Sequence, residues 1–432
     1  MGIVNEEPLT PKDRLYRIVE NAMCIGCGLC QSIAGDDSIR VVKVESGYLC
    51  PVVVGEIDHA CVDRIYHCCP GTRLEGLPEH LVESDTRTDI VWGPWRQMVP
   101  AWAADPKVRH AGSTGGVLTA LATYLLSSGR VDFILHVRAS ESEPSFGERH
   151  LSFTHADVMA AAGSRYGPTA PLIDISDVLD RGQPFAFIGK PCDLSALRNF
   201  AEIDPRVNEL VKYWLTPVCG GFMPPQGLKA FYDRMNIDEK AVTAVRYRGY
   251  GCPGPTRIET SNGAVEADYV DFWGESESMW VLPFRCKVCP DGIGETADIA
   301  AADSWSGGTP ERDASDKDPG ENAIVVRTKA GQELLNAAVR DGALAVGEDL
   351  TPEDMNRFQP HQKQKKYAVL SRFTGLQEEG RLTPTTRRLR LKELADAMTD
   401  EFNTRQREGA RDRVRIGKAD EPTPRVPENV DS

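Results

Sequence analysis

Three cysteines spaced three residues apart, Cys24-Ile-Gly-Cys27-Gly-Leu-Cys30, constrain this chain more than any other feature. Thiols at i, i+3 and i+6 let one tight loop supply three corners of a cubane iron–sulfur cluster, and a distant Cys followed by Pro supplies the fourth. Cys69-Pro70 fits that description. Zinc needs only C-x2-C pairs, and a third cysteine at the same interval is not its usual pattern. Cys24, Cys27, Cys30 and Cys69 are therefore read as ligands of a [4Fe–4S] cluster. The fourth position stays open: Cys68, Cys50 and Cys61 are also within reach, and Cys69 is preferred for its proline.

A second group is weaker as a pattern. Cys286-Lys-Val-Cys289-Pro290 alone is a half-site that zinc or a redox dithiol explains as well. Cys192, after a predicted strand at Gly189-Lys-Pro-Cys192, and Cys219, ending another at Thr216-Pro-Val-Cys219, could complete it. Carboxyl ends of neighbouring strands in an α/β sheet converge on one crevice.

Bulk properties remove several classes. The chain's 432 residues can bury a sizeable core and imply two or three domains. A net charge of −14 argues against a nucleic-acid partner, which needs a concentrated basic surface. The basic stretch Thr386-Arg-Arg-Leu-Arg-Leu-Lys reads as the polar side of a surface helix. No run of eighteen apolar residues predicts a membrane span, and the opening residues lack the features of a signal peptide. The expected location is the cytoplasm, where twelve cysteines favour metal or catalytic use over disulfides.

Along the chain, residues 1–75 read as an amino-terminal [4Fe–4S] module, ferredoxin-like, and 76–110 as an irregular connection. From residue 111 the texture is that of an α/β layered domain. Val117–Leu126 has a strong helix pattern ended by Gly129, and Val131–Val137 reads as a buried strand. Helix 154–162, strand Phe185–Ile188, helix 193–201 and strand 210–218 continue the alternation. Strand-like segments at 242–248, 256–260, 264–272, 297–302 and Ala323–Arg327 follow, then a helix at 330–341. Residues 111–350 thus form the main domain, of mixed α/β class with α+β elements. Residues 351–400 read as a carboxy-terminal helical segment and 401–432, charged and poor in aromatics, as a disordered tail.

Several motifs occur together and in order: Gly112-Ser-Thr-Gly-Gly116-Val-Leu-Thr-Ala-Leu, Ser164-Arg-Tyr-Gly167, Gly189-Lys-Pro-Cys-Asp-Leu-Ser-Ala-Leu197, Arg246-Tyr-Arg-Gly249, Arg285-Cys-Lys-Val-Cys-Pro-Asp291, Ala297-Asp-Ile299 and Asp303-Ser-Trp305. Together they resemble the beta subunits of coenzyme F-420 hydrogenases and dehydrogenases, a family that includes 7-hydroxymethyl chlorophyll a reductase and ferredoxin-dependent divinyl chlorophyllide reductases. The resemblance covers about residues 20–350. It implies a layered mixed-sheet domain holding FAD beside a [4Fe–4S] cluster on Cys192, Cys219, Cys286 and Cys289. The Cys24 set would then be an outer cluster. It further implies Ser113, Gly115 and Gly116 as a loop against the flavin, with Ser164, Arg165, Tyr166 and Lys190 as further contacts. Glycines before a helix let backbone N–H groups approach a phosphate, although a Gly-Gly opening a helix is as often a plain turn. One departure stands out: Cys252 occupies a place where relatives carry a bulky Trp, which predicts an altered pocket wall.

The function expected from this resemblance is an FAD- and iron–sulfur-dependent oxidoreductase. Electrons would pass from ferredoxin or a partner redox subunit through two [4Fe–4S] clusters and FAD to a small organic two-electron substrate. Two alternatives stand beside it: a beta subunit reducing or oxidising coenzyme F-420 itself, and a non-catalytic electron-transfer subunit. Asp291, Asp298, Asp303 and His150 are the available proton donors, and none is nominated as catalytic.

Overall fold

The architecture is that of a computed structural model describing residues 9–275, 279–312 and 317–425. Its centre is an eight-stranded mixed sheet. In spatial order the strands are Leu344–Val346, Gln97–Ala103, Asn322–Val326, Ile299–Asp303, Val211–Pro217, Phe185–Ile188, Phe133–Ala139 and Gly147–Ser152. The four from Ile299–Asp303 to Phe133–Ala139 run parallel, and the flanking pairs are antiparallel.

Both faces of the sheet are covered, which is why its central strands are apolar at consecutive positions rather than at alternate ones. On one face Ile134, Ala186, Leu215, Ile299 and Ile324 pack under the helices Val117–Ser127 and Lys329–Arg340. On the other, Phe133, Phe185, Phe187, Trp214 and Val325 join a core that also takes in Leu15, Met23 and Leu29 near the amino terminus. The same core includes Leu197 of the helix Pro191–Phe200 and Leu376 of the helix Pro360–Glu378. The first cysteine segment therefore shares its hydrophobic core with the sheet. A separate antiparallel sheet, Val242–Arg246, Thr256–Thr260 and Gly263–Ala267, packs an aromatic cluster of Phe231, Tyr232, Tyr247, Phe272 and Trp273.

Three expectations are corrected. The connection 76–110 contains the strand Gln97–Ala103, which lies inside the main sheet, and the helix Pro106–Ala111. Pro100 hid the strand, because a proline argues against a central position. Here it sits opposite Ala323, and its carbonyl accepts from the Gly347 N–H at 2.9 Å. The strand expected at 264–272 stops at Ala267, and Tyr269–Trp273 is a short helix capped by Asp268.

The tail is the third. Asp400–Arg415 is a helix packed on Pro360–Glu378, held by Arg407–Glu378 and Arg411–Glu379 pairs at 2.8 Å. Gly375 permits the close approach, since a Cβ there would stand 2.3 Å from the Arg407 carbonyl. Beyond the helix, Thr423 donates to the Glu20 carboxylate at 2.6 Å. Residues 426–432 lie outside the described residues. No helix among the described residues is long and apolar enough to cross a membrane.

Candidate functional site

The loop between helices Pro11–Glu20 and Leu29–Ala34 carries Cys24, Cys27 and Cys30. Gly26 and Gly28 adopt left-handed backbone at φ +68° and +92°, which bends the loop so that its thiols face inward. Cys69 ends the helix His59–Cys68 and joins them across a small apolar cavity of about 30 Å³, also lined by Cys68, Ile18, Val41 and Ile65. Backbone N–H groups of Gly26 and Gly71 reach the sulfurs of Cys24 and Cys69 at 3.4 Å. Those of Leu29 and Gln31 reach Cys27 and Cys30.

These thiols resist ionisation on their own. Burial pushes Cys27 and Cys30 well up and Cys69 to about 12, and the neighbouring thiols add to each. Cys24 is pushed up first by the adjoining Cys50 thiol and then by burial. Four N–H donors aimed at four mutually repelling sulfurs in a dry cavity are suited to thiolates on a cationic centre. Among the described residues no group of three or more His, Cys, Asp or Glu side chains is arranged to hold a single metal ion. Cys50 sits behind Cys24, and Cys61 lies half-buried on the helix outside the cavity lining.

The second set forms at the carboxyl edge of the parallel strands. Phe185–Ile188 leads into Lys190 and Cys192, Val211–Pro217 into Cys219, and Ile299–Asp303 into Trp305. The short helix Phe284–Lys287 brings Cys286, and Cys289 follows. Electrostatic repulsion links Cys192 to Cys219 and Cys289, and Cys219 to Cys286 and Cys289, placing the four thiols together. The Cys219 carbonyl accepts from Gln362 at 2.7 Å, and Gly292 allows this approach, since a Cβ there would stand 2.9 Å from that carbonyl.

Cys219 also lines a cleft of about 280 Å³ at the same edge. Ser113, Gly116, Ser164, Arg165, Tyr166 and Lys190 all face it. Gly115 does not: it lies against the sheet, its N–H donating to Asn322 at 3.1 Å, where a Cβ would meet the Ala101 carbonyl at 2.8 Å. The helix Val117–Ser127 opens at the cleft with Gly116 at φ +70° and no cap from that residue; its Val117 N–H donates to Asn322 at 3.4 Å, and Leu118 and Thr119 of the same turn line the cleft. Ser164 donates to Ser113 at 2.8 Å. Lys190 donates to Thr169 and Asp193 at 2.8 and 2.7 Å. Burial opposes its charge, but Asp193, Cys192 and Cys219 outweigh that and hold its ammonium above the usual range.

Arg248 is the residue that sequence reasoning missed as a site residue. Fully buried, it donates to the Ser113 carbonyl at 2.6 Å, to Thr114 at 2.9 Å, and to Asp303 through both outer nitrogens at 3.0 and 3.1 Å. Its guanidinium also lies over the Tyr269 and Trp305 rings at 5.0 and 4.8 Å. Its place in the Arg246–Gly249 motif was the available signal. Around the cleft, Arg165 Nε, Arg248 Nε, Asp193 Oδ1 and the indole N–H groups of Trp273, Trp280 and Trp305 are buried without a hydrogen-bond partner among the described residues. Orphaned polar atoms at this density mark a surface shaped for a polar, partly aromatic ligand.

Of the four proton donors, Asp303 alone lines the cleft. Asp291 accepts from the Glu295 N–H, and Asp298 accepts from Trp214 N–H and Thr328, so both are structural. His150 lies on the edge strand with its ring 5.8 Å from His136. Cys252 does not line the cleft; it is buried against Gly320, where burial pushes its thiol to about 12.

Two family models match, both describing the beta subunit of coenzyme F420 hydrogenase/dehydrogenase. The model of its N-terminal part takes residues 98–176, and the model of its C-terminal part takes 182–350. Together they span more than half of the chain. F420-dependent formate dehydrogenase 1 subunit beta of Methanococcus maripaludis is 27% identical over 256 residues, 57% of this chain and 60% of that protein's length. Coenzyme F420 hydrogenase subunit beta of Methanothermobacter thermautotrophicus is 21% identical over 314 residues, 68% of this chain and 100% of that one. A chain of the F420-reducing [NiFe] hydrogenase complex from Methanosarcina barkeri aligns with TM-score 0.48 and 21% identity, over 65% of this chain and 95% of that chain. The second cysteine set and the cleft residues from Ser113 to Trp305 fall within the two matched segments; the Cys24 set precedes them.

Proposed function

Because the chain belongs to the coenzyme F420 hydrogenase/dehydrogenase beta subunit family, we propose that it is an oxidoreductase subunit with two [4Fe–4S] clusters and FAD. Cys24, Cys27, Cys30 and Cys69 would hold the outer cluster, and Cys192, Cys219, Cys286 and Cys289 the inner one. The observation that carries this reading is Cys219, which belongs to the inner thiol group and to the wall of the cleft at once. FAD, when bound, exchanges single electrons with clusters and electron pairs with organic molecules.

The protein's own contributions are binding, orientation and exclusion of water. The first helical turn at Leu118 and Thr119, with Ser113, Arg165 and Lys190, suits a pyrophosphate. Arg248 fixes Ser113, Thr114 and Asp303 relative to one another. The aromatic side chains Tyr166, Trp273, Tyr269 and Trp305 give the cleft flat apolar walls. Asp303 brings a carboxylate to the cleft wall, held there by Arg248 and Thr114. Ferredoxin or another redox subunit is the proposed electron donor and a small organic molecule the acceptor, with reverse flow allowed by the same arrangement.

A second reading is favoured by the names of the relatives, each of which carries coenzyme F420. In it the two-electron partner at the cleft is the deazaflavin. Anaerobic purification with flavin, iron and sulfide analysis tests the common part. Two clusters and one FAD support it, and a colourless protein holding only zinc refutes it. Mixing the reduced protein with F420 and with other acceptors then separates the readings: bleaching of the deazaflavin selects the second.

A further inference from the structure

The two thiol groups are joined by one side chain. Arg285 immediately precedes Cys286, and its Nη2 donates to the carbonyl of Pro70, immediately after Cys69, at 2.8 Å. The residue is 2% exposed. Its Nε and Nη1 are buried and have no hydrogen-bond partner among the described residues. A guanidinium stripped of water with donors unused is costly unless an acceptor meets them.

We propose that Arg285 is the electrostatic bridge between the two cysteine sets, holding one positive charge in reach of both clusters and linking Cys69 to Cys286 through Pro70. This rests on the two-cluster reading above. Arg285 is a positioning residue: it supplies no ligand, and the spare donors on its Nε and Nη1 suit the sulfur atoms of a cluster as acceptors. Reduction adds negative charge to a cluster, so a fixed cation nearby stabilises the reduced state and raises the potential.

Redox titration of the purified protein, followed by electron paramagnetic resonance, tests this on Arg285→Met and Arg285→Lys. Arg285→Met is expected to make one-electron reduction of both clusters about tenfold less favourable, about 59 mV lower. Arg285→Lys, which keeps the charge, stays close to wild type. If Arg285→Met does not hold iron, Arg285→Gln, which keeps a donor for Pro70, gives the same readout. Unchanged potentials in the neutral variant, or a shift in one cluster alone, overturn the proposal. Wild-type protein lacking two clusters would instead refute the reading on which it rests.

Discussion

The backbone N–H of Leu172 donates to the carbonyl of Cys27 at 2.8 Å, fastening the first cysteine loop to a segment of the sheet domain. Gln31 adds a bond to Asp174 at 2.9 Å, and Ser32 meets Ser176 at 3.0 Å. The loop is thus shaped by two surfaces, its own helices and the 172–176 segment. Its geometry depends on the whole domain being folded.

Gly28→Ala tests that dependence. At φ +92° an L side chain is strained by about 1–2 kcal/mol. The new Cβ would also stand 2.5 Å from the Ile173 backbone nitrogen, so something must move. The expected outcome is destabilisation of about 2 kcal/mol or more in thermal melts, with iron content falling toward one cluster. Unchanged iron and melting temperature would refute it.

The fourth ligand of the outer set is testable by serine substitution. Cys69→Ser should cost about half the iron. Cys50→Ser and Cys61→Ser should leave it at wild-type level, since neither side chain lines the thiol cavity. Cys68 lines it, buried beside Cys69, with its thiol pushed up to about 12 by burial. Retention of full iron in Cys69→Ser together with its loss in Cys68→Ser would transfer the role to Cys68.

Arg248→Met should empty the cleft. It strips Asp303, Ser113 and Thr114 of their shared donor and leaves Asp303 without its cation, a loss of about 3 kcal/mol for a buried pair. Flavin absorbance of the purified variant should fall several-fold while iron in the outer set is kept. A variant with full flavin content would show that Arg248 is structural only.

His136 gives the protein an acid-side liability. Burial, reinforced by His150, lowers its pKa from 6.5 to about 4 in the folded state. Above about pH 6.5 both folded and unfolded forms are neutral and nothing is lost. As the pH falls from there to about 4, the unfolded chain takes up a proton that the folded chain refuses, and stability drops by up to about 3 kcal/mol. His136→Gln, which keeps a hydrogen-bonding partner for Ser152, should flatten urea-denaturation midpoints across that window. An unaltered slope would refute the assignment.

Much of the core was legible because its residues obey short-range rules. Phe185-Ala-Phe-Ile188 reads as a buried strand and is one, and Pro191 and Asp193 open the next helix where the pattern places it. The Cys24–Cys30 spacing likewise brought three thiols to one cavity. What escaped depended on distant partners. The strand through Pro100 is recognisable only once Ala323 lies beside it. The helix Asp400–Arg415 is strongly polar, buries only Ala410 and Val414, and is held further by the close approach at Gly375 and the Glu378 and Glu379 pairs. Burial of Arg248 and the turning away of Gly115 are tertiary facts, invisible in a motif.

The strands Phe185–Ile188 and Val211–Pro217 are adjacent and parallel. Their neighbouring ends launch Cys192 and Cys219, so the starting points of these two thiols are separated by roughly one inter-strand spacing of about 4.8 Å. The backbone ladder thereby sets how far apart the segments bearing these two thiols begin, and that separation is fixed by amide hydrogen bonds rather than by the side chains at the rim of the cleft.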